Sequence, residues 1–126
     1  MDKYADLIGV PFEYGGRGPE AYDCYGLVKK LHHDDGIILP DYKSPTEGAS
    51  ITALMMSETR LWEECPIAPG RTLLFRVPGN LHVGYLISSD RFIHTWERSG
   101  GVTIERFSDW KSRLMGCYKY VGKNND

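Results

Sequence analysis

The sequence predicts an α+β fold in which N-terminal helices pack on an antiparallel β-sheet of about five to six strands. In the first half of the chain, apolar residues recur at intervals of three and four, which is the period of a helix. After Pro69-Gly70 the pattern changes to short runs of β-branched and aromatic residues. Turn sequences such as Pro78-Gly79-Asn80 separate these runs, and their close spacing indicates antiparallel neighbours.

Length and composition limit the protein to a few classes. With 126 residues, the chain is long enough for one domain, residues 1–126, and too short for two. It is 41% hydrophobic and 25% charged with a formal net charge of −2, so neither nucleic acid nor a membrane surface is expected as a partner. The N-terminus has no apolar stretch of secretory length, and no segment is long enough to span a membrane. We therefore expect a protein made in the cytoplasm without a signal peptide.

Three helices are predicted, and the central one carries the first candidate for chemistry. A short helix over residues 2–8 precedes a glycine-rich loop at 10–22, and a further helix is predicted over 50–64. The central helix runs from about Cys24 to Asp35, with Asp23 as its N-cap. One face of it is apolar and comprises Cys24, Leu27, Val28 and Leu31.

Gly26 in the first turn of the central helix lowers helix propensity by about 1 kcal/mol relative to Ala. Its presence there indicates that another backbone or a substrate comes close to the helix at that point.

The second half of the chain reads as five strands and one helical turn. The helical turn is predicted within residues 109–114. The predicted strands are Thr72–Val77, Leu81–Ser88, Arg91–Trp96, Val102–Arg106 and Cys117–Val121.

Cys24 lies where a cysteine can be reactive, at the N-terminus of a helix. The positive end of the helix dipole and the unpaired N–H groups there favour a thiolate, so Cys24 is expected to alkylate faster at neutral pH than Cys65 or Cys117. The three cysteines are odd in number and lack Cys-x-x-Cys spacing, which argues against a disulfide framework and a zinc site. We expect Cys65 and Cys117 to be small apolar side chains of the core.

Two of the four histidines are candidates for a general base. His82 and His94 lie on successive strands joined by a turn at Ser89-Asp90, where diagonal neighbours on one face come close. With Cys24, they would supply a nucleophile, a base and an orienting group, and the Cys24 N–H would hold an oxyanion. The spacing leaves two interpretations open, since single Cys and His residues are more often structural than catalytic.

The other two histidines, His32 and His33, lie at the far end of the helix from Cys24. The run His32-His33-Asp34-Asp35 is interpreted as a solvated helix end, because neighbouring residues on a helix point in different directions.

Four stretches carry a resemblance to a known family. They are Gly9-Val10-Pro11-Phe12-Glu13-Tyr14-Gly15-Gly16, Asp23-Cys24-Tyr25-Gly26-Leu27-Val28, Leu81-His82-Val83-Gly84-Tyr85-Leu86 and Phe92-Ile93-His94. In this order and spacing the sequence resembles the NlpC/P60 cysteine peptidases. The resemblance implies a papain-like fold and cleavage of peptidoglycan stem peptides, typically between D-Glu and a diamino acid, with no metal or cofactor. It also implies that Cys24 is the nucleophile, His82 the base and His94 the residue that orients the base.

The C-terminal segment resembles the phage-associated branch of this family. Asp109-Trp110 and the ending Arg113–Tyr120, together with Tyr25, carry that resemblance. It implies a virion-associated protein with phage tail-tip proteins as further partners. A tail-tip assembly protein with little activity is the alternative function, and an amidase or transferase acting on another acyl substrate is a third.

Three positions depart from the pattern of the family. Tyr25 stands where the family usually has Ser, and Phe12 where a Tyr often lies near the active site, so Tyr14 is the candidate to supply that hydroxyl. Arg71 replaces a common Asp and is interpreted as a surface change. We expect the substrate to contact Tyr14, Asp23 and Tyr25.

Overall fold

The computed structural model describes residues 4–41 and 60–122. These ranges contain one α-helix, α1 (Cys24–Asp34), and short 3-10 helices at Ala5–Leu7, Phe107–Asp109 and Lys111–Arg113. The strands within them are β1 (Trp62–Glu64), β2 (Thr72–Val77), β3 (Asn80–Leu86), β4 (Arg91–His94), β5 (Thr103–Arg106) and β6 (Leu114–Tyr120).

The six strands form one antiparallel sheet in the order β1-β6-β2-β3-β4-β5. Strands β2 to β5 follow one another as a meander, as their short turn sequences predict. Strand β6 returns to the other side of β2 and separates it from β1. The predicted α+β class and the antiparallel sheet are thus confirmed.

Residues 62–64 form the edge strand β1, so the helix predicted over residues 50–64 is wrong at its C-terminal end. Trp62 is buried, and its ring packs edge-on against the rings of His32 and Tyr120 at centroid distances of 6.1 and 5.4 Å. Burial of a large aromatic side chain between distant parts of the chain outweighs the local helical period. Residues 50–59 of that prediction lie outside the described residues.

The N-terminal helix predicted over residues 2–8 is shorter than expected. The structure has a 3-10 helix at Ala5–Leu7, and residues 2 and 3 are outside the described part of the chain.

Helix α1 begins as the sequence predicts. The Asp23 carboxylate accepts the Gly26 N–H at 2.6 Å, which confirms the N-cap. A Cβ on Gly26 would overlap the carbonyl oxygen of Gly16, so glycine at position 26 lets the glycine-rich loop cross the first turn of the helix. The close backbone approach that Gly26 predicts is confirmed.

The two faces of the sheet carry separate apolar clusters. Helix α1 covers one face through Leu27, Val28 and Leu31, which pack with residues such as Val83 and Ile93. The other face carries an aromatic cluster, whose buried members are Leu73, Phe75, Val77, Leu86, Phe92, Phe107, Trp110 and Cys117.

His32 belongs to the core, contrary to the prediction of a solvated helix end. It is 2% exposed, its Nδ1 lies 2.9 Å from the Val28 carbonyl oxygen, and its ring packs edge-on against Tyr85 and Trp62. His33, one residue on, is exposed as predicted. The turn of the helix therefore separates the two neighbours into core and surface.

The glycine-rich loop is fixed to the segment that precedes β5. The Gly9 N–H donates to the Val102 carbonyl at 2.9 Å, and the Val102 N–H donates to the Val10 carbonyl at 2.9 Å. The Phe12 N–H donates to the Gly100 carbonyl at 3.2 Å. A separate bond, from the Asp23 N–H to the Gly16 carbonyl at 3.1 Å, holds the loop beside the start of α1.

Candidate active site

Cys24 and His82 line the same cleft, which has a volume of about 140 Å³. Three parts of the chain supply the rest of its lining: the glycine-rich loop, the β2–β3 turn and the segment after β4. These residues are Phe12, Tyr14, Val77, Pro78, Asn80, Leu81, Trp96, Glu97 and Arg98. An open depression of about 560 Å³ continues over the outer side of the β2–β3 turn, from Arg76 to Leu81.

The strand register brings the two histidines together. Strands β3 and β4 pair through Tyr85 and Ile93, and continuing that register places Gly84 opposite His94 and His82 diagonal to it. The His82 Nε2 lies 2.8 Å from the His94 Nδ1, so the predicted diagonal proximity is confirmed.

Gly84 provides the space that this arrangement needs. A Cβ at position 84 would lie 2.9 Å from the Phe92 ring and 3.4 Å from the His94 Cβ. Phe92 is fully buried and packs on the His94 ring at a centroid distance of 4.6 Å, so it has no room to withdraw. Glycine at position 84 of β3 therefore leaves the space that the Phe92 and His94 side chains occupy.

Glu105 extends the pair of histidines to a chain of three side chains. Its Oε2 lies 2.7 Å from the His94 Nε2, and its Oε1 accepts the Trp110 Nε1–H at 3.1 Å. An ionised carboxylate only accepts hydrogen bonds, so the His94 Nε2 carries a hydrogen and the His94 Nδ1 accepts one from the His82 Nε2. This tautomer leaves the His82 Nδ1 unprotonated and able to take a proton.

Glu105 and the aromatic surroundings of the histidines were not predicted from the sequence. Glu105 lies opposite Phe92 in the β4–β5 ladder, on the same face as His94 and diagonal to it. The available signal was an acidic residue on the next predicted strand, but recognising its offset from His94 requires the β4–β5 register. The rings of Trp96 and Trp110 lie 5.5 and 5.9 Å from the His82 ring and enclose it.

The surroundings of Cys24 favour the thiol over the thiolate. Burial, followed by the negative charge of Asp23, raises the pKa of the Cys24 thiol to about 12. Backbone N–H groups of Val83, Tyr25 and Cys24 itself point at the sulfur and act in the opposite direction. The helix N-terminus alone predicts a lowered pKa, but a dipole contributes only about 0.3–2 kcal/mol, less than the cost of burying an ionised group.

Both site histidines are held neutral. Burial and the neighbouring His94 lower the pKa of His82 well below its ordinary value, and burial also lowers the pKa of His94, against the opposing effect of Glu105. These shifts favour a neutral thiol and neutral imidazoles, opposite to the thiolate that the position of Cys24 suggests.

These lowered pKa values predict that acid destabilises the fold. His82, His94 and His32 all have a lowered pKa when folded, so below about pH 6.5 the unfolded chain binds protons that the folded chain does not. The free energy of unfolding should fall as the pH drops, by up to about 1.4 kcal/mol per pH unit for each histidine. Urea unfolding at about pH 7.5 and about pH 5.5 measures this. The exposed His33 is the control, since His33→Gln should leave the slope unchanged, whereas equal stability at both pH values would contradict the prediction.

The three expected substrate contacts have different surroundings. Tyr14 is 40% exposed in the cleft and packs edge-on against Phe12 at 5.0 Å. Asp23 is 1% exposed and both of its oxygens accept hydrogen bonds, from Gly26, Gly15 and Arg17.

Tyr25 is completely buried, and its hydroxyl donates to the Pro40 carbonyl at 2.7 Å. Tyr25 does not line the cleft, so it is not the substrate contact that the sequence led us to expect, and its side chain anchors the chain after α1 instead. Among the expected contacts, Tyr14 alone is a lining residue of the cleft in the described structure, and Asp23 acts as a cap.

The described residues hold no group of three or more His, Cys, Asp or Glu side chains placed to bind a metal ion. In the same part of the chain, no helix is long and apolar enough to cross a membrane.

Comparisons with known proteins agree on one family. The model of the NlpC/P60 family matches residues 9–119. The chain is 30% identical over 130 residues to the murein DD-endopeptidase MepS/murein LD-carboxypeptidase of Escherichia coli strain K12, covering 98% of this chain and 63% of that protein. It is 28% identical over 112 residues to the probable endopeptidase p60 of Listeria grayi, covering 86% of this chain and 20% of that protein. The chain thus spans less than two thirds of these relatives.

Solved structures share the fold at lower identity. An NLP/P60 family lipoprotein-like protein of Staphylococcus aureus superposes with a TM-score of 0.66 at 20% identity, over 94% of this chain and 39% of that one. The NlpC/p60 domain of the peptidoglycan hydrolase SagA superposes with a TM-score of 0.62 at 18% identity, over 92% of this chain and 91% of that one. Because the family model matches most of this chain and the solved structures share its fold, the chain belongs to the NlpC/P60 family.

Proposed function

We propose that the protein is a cysteine peptidase that hydrolyses peptide bonds in peptidoglycan stem peptides, of the type between D-Glu and a diamino acid. The observation that carries the proposal is the chain His82–His94–Glu105, which ends at a cleft shared with Cys24. The names of the Escherichia coli and Listeria grayi relatives, a murein endopeptidase and a probable endopeptidase, support the substrate class.

In the proposed mechanism, Cys24 attacks as its proton leaves. The pKa shifts favour a neutral thiol and a neutral imidazole as the starting state, from which the His82 Nδ1 takes the thiol proton while the sulfur bonds to the substrate carbonyl carbon. The new imidazolium keeps its Nε2–H on His94, and the Glu105 carboxylate offsets the positive charge. The backbone N–H of Cys24 at the start of α1 is the candidate donor to the oxyanion.

The cycle then closes with water. His82 returns its proton to the leaving amine, the C–N bond breaks, and a thioester on Cys24 remains. A water molecule that loses a proton to His82 attacks the thioester carbonyl, the C–S bond breaks and releases the carboxylic acid, and His82 returns the proton to the Cys24 sulfur.

The entrance of the cleft carries charges of both signs that suit a stem peptide with free carboxylate and amino groups. Arg98 and Glu97 are exposed lining residues, and the Arg98 guanidinium lies 5.6 Å from the centre of the Trp96 ring. Stacking on the indole presents the guanidinium to a carboxylate without burying it.

Arg98→Gln is accordingly expected to weaken substrate binding. We expect KM to rise about tenfold with kcat little changed, since a charge-assisted hydrogen bond to bound substrate contributes roughly 1.5–3 kcal/mol. Steady-state kinetics on a defined stem peptide measure the change. Arg91→Gln, an exposed arginine on β4 that does not line the cleft, is the matched control. A tenfold loss in kcat at constant KM would contradict a binding role.

The function itself is tested by incubating the purified chain with muropeptides and with defined stem peptides, followed by mass spectrometry of the products. The expected products carry a new carboxylate and a new amine at the same peptide bond. Intact substrates across the pH range, for a folded protein, would overturn the proposal.

The phage-associated origin and the virion location stay predictions. In the alternative, a phage-encoded protein uses the same fold for tail-tip binding with little activity. The test is whether phage carrying Cys24→Ala still assemble infectious tails, and loss of infectivity with normal assembly would argue against this alternative. Trp110, one residue of the motif that resembles the phage-associated branch, also contacts the candidate active site. It donates a hydrogen bond to Glu105, and its ring centre lies 4.8 Å from that of His94. The presence of Trp110 is therefore explained by the proposed catalytic site without a tail partner.

A further inference from the structure

Cys65 and Cys117 face each other where the β1–β6 ladder ends. The ladder pairs Glu64 with Tyr118, and the Cys65 N–H continues it by donating to the Cys117 carbonyl at 2.9 Å. Opposed residues of antiparallel strands have Cα atoms about 4.5–5.5 Å apart, inside the range of about 4.4–6.8 Å that disulfides span. The two Sγ atoms are 3.8 Å apart, so a small rotation of the side chains brings them to the bonding distance of about 2 Å.

We propose that Cys65 and Cys117 form a dithiol that is oxidised to an intramolecular disulfide by a low-molecular-weight disulfide such as oxidised glutathione. This site is separate from Cys24, and it does not depend on the peptidase function.

The difference in exposure between the two thiols sets the order of the reaction. Cys65 is partly exposed, whereas Cys117 is only 3% exposed. The Cys65 thiolate attacks one sulfur of the external disulfide, giving a mixed disulfide on Cys65 and releasing one thiol. Cys117 then loses its proton and attacks the Cys65 sulfur, which forms the internal bond and releases the second thiol. The two protein sulfurs lose two electrons, and the external disulfide gains them.

The surroundings of Cys117 determine how readily the second step occurs. Burial and the hydrogen bond with Cys65 raise the pKa of the Cys117 thiol to about 12, while the Ala68 N–H and the charge of Arg71 act in the opposite direction. The Arg71 Nε is buried and has no hydrogen-bond partner among the described residues. The positive charge of this guanidinium favours the thiolate form of Cys117. The internal bond should therefore form faster as the pH rises.

Closing the bond would fix the edge of the sheet. β1 has only three residues, pairs with β6 alone within the described structure, and positions the buried Trp62 against α1. A disulfide that joins residues 52 apart restricts the unfolded chain and stabilises the fold. Arg71, interpreted from the sequence as a surface change, is placed beside this dithiol.

The test uses the full chain carrying Cys24→Ala, which leaves Cys65 and Cys117 as its two thiols. The reduced protein is incubated in glutathione buffers of increasing oxidised fraction, free thiols are trapped with iodoacetamide, and peptides are mapped by mass spectrometry. We expect a linked Cys65–Cys117 peptide pair in monomeric protein, lighter by two hydrogens, together with a Tm several degrees higher that dithiothreitol reverses.

Single variants test the proposed order. With Cys117→Ala, Cys65 should accumulate as a stable mixed disulfide with glutathione, and with Cys65→Ala the buried Cys117 should stay unmodified. The linked peptide is measured without either variant, so the result stands even if one of them fails to fold. Two separately alkylated thiols in fully oxidising buffer, or disulfides only between chains, would overturn the proposal.

Discussion

Replacing Cys24 by alanine is expected to abolish hydrolysis of stem peptides, with a loss of at least about a thousandfold in kcat/KM. The sulfur is the atom that bonds to the substrate carbonyl carbon, so its removal takes away the covalent step and leaves only binding. The measurement is product formation from a defined stem peptide with equal amounts of folded protein. Stability should change little, because Ala fills most of the space of a small buried Cys.

Cys65→Ala is the matched control for Cys24→Ala. This variant also removes one thiol, but Cys65 follows β1 at the end of the β1–β6 ladder and does not line the cleft. Cys65→Ala should therefore retain activity. Equal activity of Cys24→Ala and wild type would exclude covalent catalysis by this cysteine. The protonation state is tested alongside: alkylation of Cys24 in the wild type should keep accelerating above neutral pH, because its pKa is raised to about 12. A rate that levels off below neutral pH would instead indicate a thiolate at rest.

Replacing His82 by glutamine is expected to lower kcat by about a hundred- to ten-thousandfold, the usual contribution of a general base. The effect should be larger here than in an enzyme whose cysteine is already ionised, since a Cys24 thiol with a raised pKa needs a base to take its proton. Single-turnover acylation of an activated ester measures the affected step. The exposed His33→Gln is the control and should behave as the wild type.

Glu105→Gln separates positioning from proton transfer. Glutamine preserves the shape of Glu105 but removes the negative charge, and its amide no longer fixes the tautomer of His94. We expect an intermediate loss of about ten- to a hundredfold in kcat, with little change in KM. A loss equal to that of His82→Gln would mean that Glu105 itself takes part in proton transfer.

Those features of the fold and the site that depend on a few neighbouring residues could be predicted from the sequence. Asp23 as N-cap, the approach allowed by Gly26 and the proximity of His82 to His94 all follow from spacing, and the structure confirms them. Each depends on one element or one hairpin, where a few residues determine the geometry.

What the sequence did not reveal depends on contacts between distant elements. Strand β1 exists because Trp62 is buried against α1 and β6, and a window of local residues favours a helix there. Glu105 reaches His94 only once the β4–β5 register is known. The raised pKa of the Cys24 thiol was not visible in the sequence, because burial is a property of the whole fold whereas the helix terminus is visible locally.

The close approach of Gly84 in β3 to the Phe92 ring in β4 couples the residue types that can stand at these two positions. Because a Cβ at Gly84 would meet the Phe92 ring, an alanine at position 84 is compatible with the site only alongside a smaller residue at position 92. Related sequences should therefore change these two positions together, and a library that varies each alone would find mostly unstable proteins. The residues at positions 84 and 92 therefore depend on each other, and together they limit the space in which the His94 side chain can lie.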